Sequence, residues 1–145
     1  MPYKSLEISN ANSVSIPSAK QVQFYKGYSS LDRANPTFKL FDLDLIKQNI
    51  INTFNTRKGE RVMNPQFGSI VWDILMEPMT PALRDVLNDD IKSICNSDPR
   101  VNPTSIKITE YPSGYIVEVT LQLVGTDQSS FMTLTFDQII GLSVQ

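Results

Sequence analysis

The apolar residues of this 145-residue chain change their spacing once, near Pro103, and no other feature narrows the fold so far. Upstream, from Asp42 to Asp98, they recur three and four residues apart, the spacing that gathers side chains on one face of a helix. Downstream they alternate, which sends successive side chains to opposite faces of a strand. Leu43, Ile46, Ile50 and Phe54, broadened by Leu45 and Ile51, predict a first helix over 42–57. Asp42 suits its positive end, and Arg57 and Lys58 suit its last turn, with Gly59 able to take the left-handed conformation that closes it. Asn64-Pro65 keeps the chain extended or turning, Phe67 is expected to plug the joint, and Ser69 can cap a short helix through Ile70, Val71, Trp72, Ile74 and Leu75 that Pro78 ends. Thr80-Pro81 opens a third helix with Leu83, Leu87, Ile91 and Ile94 on its buried face, and Pro99 stops it. Cys95 lies beside that stripe and reads as core.

Ile106 and Ile108, then Tyr115, Val117, Val119, Leu121 and Leu123, then Met132, Leu134 and Phe136 alternate with polar neighbours. The turn signals Tyr111-Pro112-Ser113-Gly114 and Gly125–Ser130 separate these runs. The pattern predicts a three-stranded antiparallel meander with one apolar face, covered by the three helices: an α+β domain. The two edges of so short a sheet need protection or another chain's strand.

Residues 1–40 carry no sustained pattern. Seven serines fall in the first thirty positions, with Asn10, Asn12 and Pro17. They read as an extended N-terminal arm ahead of a domain over 41–145. Phe24, Tyr25 and Tyr28 interrupt it, either as anchors that order against a partner or as side chains that pack back on their own domain.

Composition removes several function classes. With no histidine and one cysteine, Ser-His-Asp and Cys-His arrangements, His-containing zinc sites and four-thiolate sites are impossible. Neither phosphate-cradling glycine motif is present, and Asp42-Leu43-Asp44 lacks the further ligands of a calcium loop, so no cofactor or metal is expected. No apolar run approaches the roughly 18 residues of a membrane span, and the leading residues lack the apolar stretch of a secretory signal, which predicts a soluble, non-exported protein. The net charge is −2, divided unevenly: residues 1–65 hold nine Lys/Arg against five Asp/Glu, and residues 66–145 hold four against ten. Such asymmetry steers association with charged partners or belongs to ordinary solvated surface. The few cations beside Phe24, Tyr25 and Tyr28 make a poor nucleic-acid footprint.

The stretch from Thr56 to Pro78 reads either as a catalytic loop or as a joint. Its punctuation favours a joint between helices, built on Gly59, Glu60, Arg61, Pro65, Phe67, Gly68 and Ser69. A glycosidase needs two carboxyl groups roughly 5 to 9.5 Å apart, one with a raised pKa. Glu60, Asp73, Glu77 and Glu118 are the candidates, but Asp73 and Glu77 fall on the polar side of a short helix and Glu118 alternates outward on a strand.

Read in order, "NTRKGERVMNPQFGSIVWDIL", "EPMTPALRDVL", "SDPRVNPTSIKI" and the following hairpin resemble the baseplate wedge family of contractile-tailed bacteriophages, also called sheath initiators. Relatives of that family occur in type VI secretion baseplates and other contractile injection systems. The resemblance spans about residues 42 to 124, rests most on T-R-x-G-E-R-x-x-x-P-x-F-G-S, and extends to "FYKGYSSLD" in the arm. It implies a structural virion protein of the tail baseplate, assembled in the host cytoplasm. Its helical part would join the wedge core bundle with other baseplate wedge proteins near the central hub and tube, and its sheet would accept strands from the tail sheath protein. It implies no enzyme, no small-molecule substrate, no nucleic acid and no membrane, although the family has also been labelled lysozyme-like, which keeps a peptidoglycan-cleaving glycosidase as the alternative. The family's Glu-Pro-Arg element, associated with wedge contacts, corresponds to Asp98-Pro99-Arg100, one methylene shorter in its acid. Arg100 either presents its donors to a partner's carboxylate or closes an internal ion pair that fastens helix to sheet.

Overall fold

The computed structural model describes residues 24–29 and 39–145. Most of the arm expected over 1–40 therefore lies outside the described residues. The elements run β1 (Lys26–Tyr28), β2 (Lys39–Phe41), α1 (Asp42–Asn55), α2 (Val71–Ile74), α3 (Pro81–Asn96), β3 (Val101–Tyr111), β4 (Gly114–Leu123), β5 (Ser129–Asp137) and β6 (Gly141–Val144). The fold is α+β, with α1, α2 and α3 against one face of an antiparallel sheet ordered β3-β4-β5-β6, and β1 paired antiparallel to β2 in a separate ribbon.

The alternating residues meet as their phase requires. Ile106 lies opposite Val119 and Ile108 opposite Val117, while Val117 faces Leu134, Val119 faces Met132 and Tyr115 faces Phe136. This face closes on Ile46, Ile50 and Phe54 of α1, Val71 and Ile74 of α2, and Leu87, Ile91 and Ile94 of α3. Phe136 is the pivot, meeting the rings of Phe54 and Trp72 edge-on at 5.8 and 5.7 Å. Cys95 is fully buried, and burial pushes its thiol up to about 11, so it behaves as core. Gly114 opens β4 where a side chain has no room, since a Cβ there would lie 1.8 Å from the Phe136 carbonyl oxygen.

Several local expectations change. The sheet has four strands, because β6 adds to β5 by pairing Leu134 with Val144 and Asp137 with Gly141. Helix α1 stops at Asn55, with Thr56 extended at its C-terminal cap, so Arg57 and Lys58 lie beyond the last turn. Side-chain chemistry further along the chain draws them out: Arg57 pairs with Asp73 and Lys58 with Asp90. Gly59 is left-handed, at φ 88°, but it closes the loop after the helix by donating to the Pro65 carbonyl. Helix α2 is a single turn. Asp42 does begin α1, and with φ 45° it is the one non-glycine residue in the left-handed region among those described.

Candidate functional site

Residues 56–69 form a closed loop. Its neck is zipped by Ser69 N–H donating to the Thr56 carbonyl at 2.9 Å and Lys58 N–H to the Ser69 carbonyl at 3.2 Å. Two β-turn-like bonds, Glu60 N–H to Arg57 and Asn64 N–H to Arg61, fold the tip. Glu60 turns its carboxylate inward to accept from Arg57 N–H at 3.1 Å. Gly68 makes the close approach possible: its φ is 117°, and a Cβ would sit 2.6 Å from the Thr56 carbonyl oxygen. Pro65 is exposed in the returning limb. Phe67 does not plug the joint. It is half-buried, and the Arg61 guanidinium stacks on its ring at 3.8 Å from the centroid.

The loop is clamped to α3 by a carboxylate on the helix's buried stripe. Asp90 is buried and accepts from Ser69 Oγ at 3.0 Å, Ile70 N–H at 3.1 Å and Lys58 Nζ at 3.3 Å. Ser69 Oγ in turn accepts from Val71 N–H at 3.2 Å, which starts α2. Trp72 then donates from Nε1 to the Phe54 carbonyl at 2.6 Å, joining α2 to the end of α1. The signal for Asp90 was present in the helical register: it lies three residues after Leu87 and four before Ile94, on the buried stripe, where an acid needs several donors.

Beside this loop lies a groove of 580 Å³ between α1, the loop and the α3–β3 turn. It brings together Arg61 and Phe67 with Asp98, Pro99 and Arg100, and adds Asn49, Asn52 and Thr53, which carried no sequence signal. Arg100 holds Asp98 through both carboxylate oxygens, Nε to Oδ1 at 2.8 Å and Nη2 to Oδ2 at 2.5 Å, and its backbone N–H reaches Oδ1 at 3.0 Å. The Arg100 side-chain hydrogen bonds hold the Asp98 carboxyl below its usual range despite burial, and Asp98 raises the guanidinium in return. The ion pair locks the turn between α3 and β3. The outer face of the guanidinium looks onto the Tyr25 ring at 5.2 Å, so part of the aromatic segment does pack back. Phe24 and Tyr28 stay 65% and 73% exposed. The segment is hung on Asp42, whose Oδ1 accepts from the Phe24 and Tyr25 amides at 3.0 and 2.8 Å while its own N–H donates to the Tyr25 carbonyl.

The four acids that acid/base chemistry would use are not brought together in this groove. Asp73 is paired with Arg57 and Glu118 with Lys107, Glu60 caps its own loop, Glu77 lies beyond α2 away from the groove, and the groove holds one carboxylate, Asp98. Among the described residues no cluster of three or more acids or cysteine could hold a metal ion, and no helix is long and apolar enough to cross a membrane.

The geometry is that of an α+β module whose groove beside the 56–69 loop offers guanidinium, amide and aromatic contacts. The family model described as Baseplate wedge protein gp25 matches residues 42–128, from the start of α1 to the β4–β5 turn, and the chain belongs to that family. It is 32% identical over 82 residues to Baseplate wedge protein gp25 of Enterobacteria phage T4, covering 54% of this chain and 62% of the relative. The match thus spans about three-fifths of the length of that curated relative. Among solved structures, a Geobacter sulfurreducens protein bearing a tail-lysozyme description shares the fold, with a TM-score of 0.56 over 63% of this chain and 86% of that one at 19% identity.

Proposed function

We propose that this chain is a structural baseplate wedge subunit of a contractile phage tail or a related injection system. In that role it joins the wedge core bundle beside the central hub and tube, and it starts sheath assembly by accepting a strand of the tail sheath protein. The observation that carries the reading is the family match from α1 to the β4–β5 turn, which takes in both the helical groove and the first hairpin of the sheet. The groove supports the wedge contact: Arg61, Phe67 and Arg100 line one concavity, and guanidinium groups beside an aromatic ring suit a partner helix that presents carboxylates. The sheet supports the sheath contact, because β3 is an edge strand and an added strand binds through main-chain hydrogen bonds whatever its side chains. Phe24, just ahead of β1, and Tyr28, at its end, are exposed and serve as further anchors for a neighbouring baseplate protein.

A muralytic role is disfavoured by the single, ion-paired carboxylate of the groove, since sugar hydrolysis needs a second. The test is negative-stain electron microscopy of particles from the parent system lacking this gene. Tubes or baseplates without an extended sheath are expected. Complete sheathed particles that fail only to breach the cell wall would overturn the structural role in favour of the lysozyme description.

A further inference from the structure

At one end of the sheet, the connection from β5 to β6 carries Ile139 and Ile140, which are 89% and 80% exposed. Both lie beyond the residues that match the family. Two adjacent isoleucines in water normally turn inward if the backbone lets them. Here the backbone is held on every side. Asp137 Oδ1 accepts from the Ile139 and Ile140 amides at 2.7 and 3.1 Å, while its Oδ2 accepts from the Ser113 and Tyr111 hydroxyls at 2.8 and 3.0 Å. Gln138 donates from its amide N–H to the Ser113 carbonyl at 3.0 Å and from its side chain to the Leu75 carbonyl at 2.8 Å. The turn is thereby stapled to the β3–β4 turn and to the end of α2, and the two apolar side chains face solvent. Met76, next to Leu75, adds a third exposed apolar side chain to this end of the molecule.

We propose that this turn is a preorganised anchor, with Ile139 and Ile140 inserting into an apolar, basic-rimmed pocket of a neighbouring protein in the same assembly. A rigid apolar projection loses little conformational freedom on binding, which is what makes a compact contact effective. The surrounding charge selects the occupant. Asp137, Glu77 and Glu110 lie at this end, and Arg84, within 3.6 Å of Glu110, offsets one of the three. An acidic rim repels anionic lipid and nucleic acid and complements a protein pocket edged by lysine or arginine.

The inference rests on the baseplate role, and the experiment separates the two. A photo-cross-linking benzoylphenylalanine is placed at position 140 of the full chain, particles are assembled, and adducts are mapped by mass spectrometry. The expected result is one adduct to a different protein, at a peptide of apolar residues flanked by Lys or Arg. In parallel, Ile139→Ser with Ile140→Ser should leave the purified chain's melting temperature within about 2 °C, because side chains so exposed bury little. The same double substitution should lower its incorporation into particles about tenfold or more. Should the double variant fold poorly, the cross-link alone decides. An adduct to a second copy of this chain, to lipid or to nucleic acid, or no adduct in particles that contain the chain, overturns the anchor and leaves the baseplate role standing. Absence of the unmodified chain from particles overturns both.

Discussion

Replacing Asp90 with alanine tests whether one buried acid holds the loop onto α3. Its side chain is 5% exposed, and the change strips the acceptor from three donors at once. The buried Ser69 hydroxyl has no water to turn to, and the half-buried Ile70 amide has little. Hydrogen bonds to a charged acceptor contribute about 1.5 to 3 kcal/mol each, so these two account for about 3 to 6 kcal/mol, and the half-buried Ile70 amide places the sum in the lower part of that range. Lys58 is 37% exposed and regains solvent when released, which limits its share to under about 1 kcal/mol. The total is about 4 kcal/mol. For a domain of this size each kcal/mol corresponds to about 4 °C, so Asp90→Ala should lower the melting temperature by about 15 °C in far-UV circular dichroism at pH 7. Lys58→Met should cost about 4 °C or less. The reasoning fails if Asp90→Ala melts within 3 °C or so of the parent, or if Lys58→Met proves as damaging as Asp90→Ala.

The remaining predictions concern the glycine of the loop, the acid of the β5–β6 turn and the thiol. Gly68→Ala combines a left-handed φ with a Cβ pressed on backbone and should destabilise by about 2 to 4 kcal/mol in urea titrations; an unchanged midpoint would refute the close approach. Asp137 is lowered from 3.8 to about 2, first by the Ile139 amide, then by the Ile140 amide and the Ser113 hydroxyl, so its ionised form is favoured by folding. Its contribution is complete above about pH 4 and is lost as the pH falls towards 2; Asp137→Asn should flatten stability over that window, and an unaltered pH profile would contradict it. Cys95, raised to about 11, should resist a thiol reagent at pH 8 in the native state and react fully on unfolding, whereas rapid stoichiometric labelling of native protein would show that it is not core.

Much of the fold was legible because apolar spacing reports burial directly. The stripe of α3 and the phase of β4 and β5 needed no tertiary knowledge, and Thr80 caps α3 through Leu83 N–H as its residue type suggests. Short elements escaped for a physical reason. β1 and β2 have three residues each and β6 has four, too few to show a period, and each exists because another strand supplies its hydrogen bonds. The C-terminal limit of α1 is not legible locally, because the competing partners of Arg57 and Lys58, Asp73 and Asp90, lie 16 and 32 residues away. In the groove, the element Asp98-Pro99-Arg100 stood out in the sequence, but only the folded chain brings Asn49, Asn52 and Arg61 alongside it.

Strand β3 bears Pro103 on the outer edge of the sheet, with a bulge between Pro103 and Ser105. Proline has no amide hydrogen, and a bulge breaks the even ladder that a neighbouring strand would read. At the opposite edge β6 is only four residues long. The regular edge left for an added strand is therefore Ser105–Tyr111, a stretch that begins at the bulge and ends at the β3–β4 turn, so a docking strand finds a bounded register rather than an open-ended one.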